Sequence, residues 1–277
     1  MSSNFVAAAH RAAIVEQLRA AGCVWADDEA DLLISATSTP ADLQSIVARR
    51  VDGEPLEHIV GWARFGGIRV MVAPGVFVPR ARTELLVRAA VRPVGRRNAV
   101  VLDLCCGSGA VGAAVAAKAA GPLHLHAADV DPASVACARL NLAPWGGHVY
   151  QGDLFAALPS HLHRRVDVLV ANVPYVPTAQ IGMLPREARL YEPRLSLDGG
   201  VDGLDVLRRV AAEAPGWLAP RGHLIVETSQ PQSSAALELL DRAGLPARVI
   251  TDSELGATAV IGGMPSHSNW RTSDSLG

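Results

Sequence analysis

The chain has 277 residues, of which 49% are hydrophobic and 19% are charged, and its formal net charge is −2. This balance is typical of a globular protein with a buried core and excludes a disordered chain. Because there is no excess of positive charge, the composition disfavours a protein that attracts polyanions through its overall field.

The lack of targeting signals and the cysteine pattern indicate in which compartment the protein works. The N-terminus lacks the charged and apolar regions of a signal peptide, and no stretch approaches the roughly 20 apolar residues of a membrane span. The four cysteines show no metal-ligand spacing. We therefore expect a soluble, cytoplasmic protein with reduced thiols, no membrane contact and no metal site.

Residues 1–57 are predicted to form a small helical domain. Apolar residues at helical spacing indicate three helices, over residues 5–21, 27–36 and 41–52. Thr39 and Pro40 favour the start of the third helix, with the threonine as its N-cap. The alternative is an N-terminal extension that packs on the main domain.

Residues 58–80 are predicted to link this helical domain to a third region, residues 81–277. Residues 58–78 alternate apolar and other side chains around a pair of glycines, which predicts a β-hairpin. Helix signals resume at residues 82–91.

From residue 99 onward the chain repeats a strand, a turn and a helix. Strands are predicted over residues 99–104, 123–130, 166–173 and 222–229, and helices over residues 110–120, 132–142 and 206–218. This alternation predicts an α/β fold in which a parallel sheet carries helices on both faces. The polar tail after Met264 is predicted to fray.

The first of these strands runs into a turn that opens a helix. Glycines in such a turn let a ligand approach the backbone, and the helix N-terminus offers unpaired N–H groups; a tight turn without a ligand is the alternative. The order differs from the dinucleotide and P-loop motifs, which disfavours a phosphate ligand. The candidate ligand-binding residues are Asp103, Cys105, Cys106, Gly107, Ser108 and Gly109.

Acidic residues follow the next two strands. Asp129 lies where a carboxylate in an open α/β sheet reaches ribose hydroxyls, while the spacing of Asp131 suits the N-cap of the next helix. Asp153 and Leu154 follow a short strand and would suit the edge and the face of an adenine. Together with the turn, this order predicts an adenosyl ligand without phosphates, namely S-adenosylmethionine.

The strand over residues 166–173 ends in Asn172-Val173-Pro174-Tyr175, here called the acceptor motif. Methylation of a planar amino group is difficult because its nitrogen lone pair is delocalised. A carboxamide oxygen and a backbone carbonyl could accept both of its hydrogens, and Tyr175 could stack on the planar group. The alternative is a turn that ends the strand, with proline as the terminator.

Several stretches together resemble the class I protein-(glutamine-N5) methyltransferases, which modify peptide chain release factors. They are the linker GEPLEHIVGWARFGGIRVMVAPGVFVPRARTELLV, the turn region VLDLCCGSGAVGAAVA, the stretch ADVDPASVACARLNL, the motif NVPY, and YEPRLSLDGGVDGLDVLRRV. The linker and the last stretch are the most specific, because generic methyltransferases lack them. The resemblance covers most of the chain.

The resemblance implies a Rossmann-like class I methyltransferase sheet, preceded by a helical domain that helps to grip a release factor and by a hairpin linker. The Gly-Gly-Gln loop of that factor would enter the active site, without a nucleic-acid partner. Carried over by position, residues 105–109, Asp129 and Leu154 would bind S-adenosylmethionine. Asn172 would lie beside both the cofactor and the glutamine amide, whose second hydrogen would go to the carbonyl of Val173.

The chain departs from this family at a few positions. Val173 replaces a second proline of the acceptor motif, and Ala81 replaces another proline. Cys105 and Cys106 stand where a glycine and a threonine are usual. The backbone carbonyl survives the change at Val173, but Cys105 places a Cβ at a position that tolerates positive φ.

Other functions stay open. An adenine-N6 methyltransferase faces the same problem of a planar amine, but it would hold a flipped base and contact phosphates. Residues 1–80 contain seven arginines against nine acidic residues, which is no basic footprint. A paralogue that methylates another protein or a small-molecule amide, and a non-catalytic cofactor-binding protein, are the further alternatives.

Overall fold

The N-terminal part of the chain is helical. In the computed structural model, which describes residues 2–95 and 98–265, the first elements are α1 (Ser2–Ala20), α2 (Ala26–Ala36), α3 (Pro40–Val51) and α4 (Leu56–Val60). The three predicted helices are confirmed. Thr39 caps α3 as expected, because its side chain accepts a hydrogen bond from the backbone N–H of Asp42 at 3.2 Å.

These helices have a small hydrophobic core of their own. Its buried side chains come from α1, α2 and α3 and are Ile14, Val15, Leu18, Ala26, Ala30, Leu33 and Val47. A largely buried ion pair joins α3 to α2, because Arg50 Nε lies 2.6 Å from Glu29 Oε2. The division of the chain into domains at residues 57 and 80 stays a prediction.

A two-stranded antiparallel hairpin follows, made of β1 (Trp62–Phe65) and β2 (Ile68–Met71). It is shorter than the predicted stretch, because α4 occupies the first residues of that stretch. Gly66 turns the chain with a φ of +58°, and a Cβ added there would lie 2.7 Å from the Cβ of Ala114. The hairpin therefore packs directly on the next part of the chain.

A short 3-10 turn, Ala81–Thr83, leads from the hairpin into α5 (Glu84–Val94). The helix begins slightly later than predicted because this turn precedes it. Glu84 Oε1 accepts a hydrogen bond from the backbone N–H of Gly66 at 3.1 Å. This hydrogen bond joins the turn of the hairpin to the first residue of α5.

Seven strands form the main sheet, in the order β5-β4-β3-β6-β7-β9-β8. They are β3 (Ala99–Leu104), β4 (Leu123–Asp129), β5 (His148–Gln151), β6 (Val166–Ala171), β7 (Leu218–Thr228), β8 (Ala247–Asp252) and β9 (Ala257–Gly263). Neighbouring strands are parallel except that β9 runs antiparallel to β7 and β8. The sheet is mixed rather than parallel throughout, because the short turn between β8 and β9 permits only an antiparallel pair.

Helices cover both faces of the sheet, as predicted. They are α6 (Ala110–Lys118) and α7 (Pro132–Leu142), which lie with α5 on one face, and α9 (Asp205–Trp217) and α10 (Ser233–Arg242) on the other. A short helix, α8 (Arg186–Tyr191), lies in the connection after β6. Strand β6 serves both cores, with Val168 and Val170 on the first face and Leu169 and Ala171 on the second.

The carboxyl ends of β3, β4 and β6 lie side by side, because β3 pairs in parallel with both neighbours. The strand order reverses between β3 and β6, and ligands of open α/β sheets bind in the crevice at such a point. The tail after Met264 lies almost wholly outside the described residues. Within those residues, no helix is long and apolar enough to cross a membrane.

Candidate active site

One pocket lies in the crevice at the carboxyl ends of β3, β4 and β6, and nearly all predicted site residues line it. They are Asp103, Cys105, Cys106, Gly107, Ser108, Asp129, Asp153, Leu154, Asn172, Val173, Pro174 and Tyr175. Gly109 does not line the pocket. It starts α6 with a φ of +75°, and an added Cβ would lie 3.1 Å from the Cβ of Ala138, so its role is close helix packing.

The turn after β3 has the strained backbone that its sequence suggested. Cys105 has a φ of +56°, and the nearby Gly107 has a similar φ of +52°. L-residues rarely adopt this conformation because the Cβ approaches backbone oxygens. Burial raises the pKa of the thiols of Cys105 and Cys106. Both thiols are therefore neutral, which disfavours either as a nucleophile.

Asp129 ties the end of β4 to this turn. Its Oδ2 accepts a hydrogen bond from the N–H of Gly107 at 2.8 Å, and its Oδ1 accepts one from Asp131 at 2.9 Å. Burial raises the pKa of the Asp129 carboxyl, although these two backbone donors oppose the shift. Each oxygen keeps a lone pair for a ligand. Asp131 caps α7, as its spacing predicted, by accepting the N–H of Ser134.

Asp103 is buried between β3 and α6. Its Oδ2 accepts a hydrogen bond from the N–H of Gly112 at 2.8 Å. Burial raises the pKa of the Asp103 carboxyl to about 8. The hydrogen bond from Gly112 lowers this pKa by a smaller amount, and the charge of Asp129 raises it slightly. The carboxyl lines the pocket and contacts the first turn of α6 through this hydrogen bond.

Asp153 and Leu154 lie at the pocket wall that follows β5. The side chain of Asp153 pairs with Arg209 on α9, whose Nη2 lies 2.7 Å from Asp153 Oδ2. The pair is about half exposed, and Arg209 itself lines the pocket. Arg209 was not predicted, since nothing in the spacing of α9 relates it to a strand end.

Asn172 directly follows β6 and has a single side-chain partner. Its Nδ2 donates to the hydroxyl of the buried Thr83 at 3.5 Å. Among the described residues, no donor reaches Asn172 Oδ1. The carboxamide therefore turns its nitrogen toward the protein and keeps its oxygen available to accept a hydrogen bond from a ligand.

Tyr175 is held by a buried carboxylate and an arginine. Its hydroxyl donates to Glu227 Oε1 at 2.9 Å, and Arg82 Nε lies 3.1 Å from both the Tyr175 oxygen and Glu227 Oε1. Burial raises the pKa of the Tyr175 hydroxyl, and the charge of Glu227 adds to this shift. The hydroxyl is thus a neutral donor, and the ring is anchored at its far end.

Sequence reasoning missed Arg82, Thr83 and Glu227. Glu227 lies one residue before the end of β7, at the carboxyl edge of the sheet, where the same kind of signal identified Asn172 after β6. The two residues of the 3-10 turn gave no comparable signal, because only tertiary packing brings the turn against β6 and β7.

A loop behind the acceptor motif supports its backbone. Gly199 N–H donates to the carbonyl of Val176 at 2.9 Å, and Gln232 Nε2 donates to the carbonyl of Tyr175 at 2.9 Å. Gly203 has a φ of +77°, and an added Cβ would collide with the backbone carbonyl oxygen of Tyr175. The stretch LDGGVDG after α8 is therefore a close-fitting support for the motif.

The histidines lie elsewhere. His126 on β4 stacks on His148 and Tyr150 of β5, with ring centroids 5.4 and 6.0 Å apart, and none of these three residues lines the pocket. Burial, and after it the neighbouring histidines, lower the pKa of His126 to about 4. In the described ranges, no group of three or more His, Cys, Asp or Glu residues could hold a metal ion.

Comparisons with known proteins agree with this geometry. Residues 67–184 match the family model described as the methyltransferase small domain. The release factor glutamine methyltransferase of Geobacter sulfurreducens is 37% identical over 225 residues, which are 80% of this chain and 78% of that protein. The release factor glutamine methyltransferase of Xylella fastidiosa is 33% identical over 246 residues, 87% of each chain.

A solved structure shares the fold at low sequence identity. The methyltransferase from Pyrococcus furiosus is 15% identical and superposes with a TM-score of 0.53, covering 72% of this chain and 89% of that one. At this identity the likeness concerns the fold of the sheet and its helices alone.

Proposed function

Because this chain belongs to the release factor glutamine methyltransferase family, we propose that it methylates the side-chain amide nitrogen of a glutamine in a peptide chain release factor. The observation that carries the proposal is the acceptor motif at the end of β6. There, a carboxamide oxygen that no donor of the described residues reaches and an anchored aromatic ring line one pocket. The proposed acceptor is the glutamine of the Gly-Gly-Gln loop.

The chemistry of the pocket fits S-adenosylmethionine. When bound, this cofactor supplies a methyl group carried by a cationic sulfonium. Asp129 would hold the ribose hydroxyls, because its oxygens retain free lone pairs beside the turn. Asp103, at the pocket floor, is a carboxyl that a nearby cation would keep ionised. Asp153 and Leu154 would contact the adenine edge and face.

The acceptor motif suits an amide that must present its nitrogen. Asn172 Oδ1 and the Val173 carbonyl would each accept one hydrogen of the glutamine –NH2 group. Holding both hydrogens orients the nitrogen toward the methyl group and stabilises the positive charge that develops on it. The ring of Tyr175 would stack on the planar amide, and Pro174 would set the bend between them.

The N-terminal helices would supply the grip on the protein substrate. We infer this role for residues 1–57 because these helices have a core of their own and are joined to the catalytic part by the hairpin. A loop as small as Gly-Gly-Gln would otherwise offer few contacts for recognition. A truncated protein beginning at the hairpin should accordingly lose affinity for the release factor.

Methyl transfer to a purified release factor tests the proposal. Labelled S-adenosylmethionine is incubated with the factor and the protein, and mass spectrometry locates the label. We expect one methyl group on the Gly-Gly-Gln glutamine, and none with Asn172→Ala, whose cofactor affinity is checked by calorimetry. Label on nucleic acid or on another protein, with that glutamine unmodified, would refute the release factor as substrate.

A further inference from the structure

Arg82 faces two ways at the edge of the acceptor motif. Its Nε donates inward to the Tyr175 hydroxyl and to Glu227 Oε1, both at 3.1 Å. Its side chain keeps 44% of its surface exposed, while that of Glu227 keeps 3%. Arg82 also lines the pocket. The guanidinium is thus fixed at its inner nitrogen and open at its outer end.

The outer nitrogens of this guanidinium have no partner in the part of the chain that the structure describes. Nη1 and Nη2 carry four hydrogens in a rigid planar fork, and the contacts of Arg82 all run through Nε. A neighbouring arginine differs in that a terminal nitrogen is paired within the protein. Arg80 places one terminal nitrogen 2.6 Å from each oxygen of Glu192 and does not line the pocket.

Charge decides which ligand would suit the open end. Glu227 lies in direct contact with Arg82 and is buried, so the pair carries no net charge. A phosphate or carboxylate would therefore find its attraction to Arg82 offset by the buried carboxylate. Neutral acceptors of strong hydrogen bonds, such as the main-chain carbonyls of a peptide, have no such penalty.

Resting on the proposed function, we propose that Arg82 binds the substrate's main chain beside the methylated glutamine, donating its Nη hydrogens to peptide carbonyls. The same side chain positions Tyr175 through Nε. The guanidinium thereby contacts both the substrate loop and the stacking ring. Because this group is rigid, it would place the substrate amide over the ring of Tyr175. Arg82 is in this view a specificity residue for a peptide acceptor.

Arg82→Lys and Tyr175→Phe together separate the two arms. Lysine keeps a charge beside Glu227 but loses both the fork and Nε, so the two outward hydrogen bonds to substrate are lost together with the inner contact. At about 1 kcal/mol for each bond, the KM for the release factor should rise about thirtyfold. Tyr175→Phe removes the hydroxyl that contacts Arg82 Nε and Glu227 but leaves the outer nitrogens of Arg82 in place, so its kcat should fall while its KM stays unchanged. Arg80→Lys is the matched control and should leave KM unchanged.

The measurement is steady-state methylation of the release factor, with cofactor affinity by calorimetry and melting temperature for every variant. Cofactor affinity within twofold of the parent value shows that the pocket is intact. The inference is overturned if Arg82→Lys leaves KM unchanged, or if Tyr175→Phe raises KM equally. A parent protein that does not methylate the factor overturns the proposed function, and this inference with it.

Discussion

Exchanging Cys105 for glycine and for alanine measures the strain at the turn after β3. Both substitutions remove the same thiol, so the difference between the two variants isolates the Cβ. Cys105 has a φ of +56°, where a Cβ costs an L-residue roughly 1–2 kcal/mol. Cys106 is the matched control, because it is an adjacent buried cysteine that is not among the residues with positive φ.

The magnitude follows from two opposing terms. Glycine at an unstrained position is less stable than alanine by roughly 0.5–1 kcal/mol, because it loses more backbone freedom on folding. At Cys106 that term acts alone, so alanine should be the more stable variant. At Cys105 the relief of strain opposes it, so glycine should equal or exceed alanine. The two alanine-to-glycine differences should therefore differ by about 1–2 kcal/mol.

Urea denaturation of the four variants gives these free energies of unfolding, provided that their m-values agree. Cofactor affinity should be the same for Cys105→Gly and the parent chain, because the backbone already has the shape that a glycine would adopt. If glycine and alanine rank at Cys105 as they do at Cys106, the turn is unstrained. The reasoning from its positive φ would then be wrong.

Other consequences are testable with single changes. Gly203→Ala should destabilise the protein and lower kcat more than Gly244→Ala, because both have a φ of +77° but only the first would meet other atoms; thermal melting and turnover compare them. The pKa of His126 is lowered to about 4, so its contribution to the free energy of unfolding should be complete above pH 6.5. Between pH 6.5 and pH 4 that free energy should fall by up to about 1.4 kcal/mol per pH unit. His126→Phe should flatten this pH profile. Asp129→Ala should weaken cofactor binding in calorimetry, whereas Asn172→Ala should abolish turnover with a modest loss of affinity; equal losses of affinity would contradict this division.

Local patterns were sufficient to predict the strands and helices that build the site. The buried strand 99–104 and the helix 132–142 have the predicted bounds, because each is delimited by a turn or a capping residue next to it in sequence. Strands β8 and β9 were not predicted. Their place at the edge of the sheet is decided by β9 pairing with β7, and the apolar pattern of a single strand does not record which strand it pairs with.

The same distinction holds within the site. Asp129 and Asn172 could be predicted because each follows a parallel strand, and the ends of such strands meet at one edge. Arg209 lies on a helix, and Thr83 lies in a turn before the sheet begins. Each reaches the pocket only through the way in which its element packs, so spacing along the sequence could not identify it.

The replacement of the second proline by Val173 shows how such distant contacts bear on the chemistry. A second proline would stiffen the acceptor motif from within by fixing one φ angle. Here the motif is held from outside. Val173 itself is buried, with 2% of its surface exposed, Gln232 holds the carbonyl of Tyr175, and Glu227 holds its hydroxyl. Because these contacts fix the backbone on both sides of Pro174, rigidity no longer depends on a proline at position 173. The valine keeps the backbone carbonyl to which the proposed function assigns the second amide hydrogen.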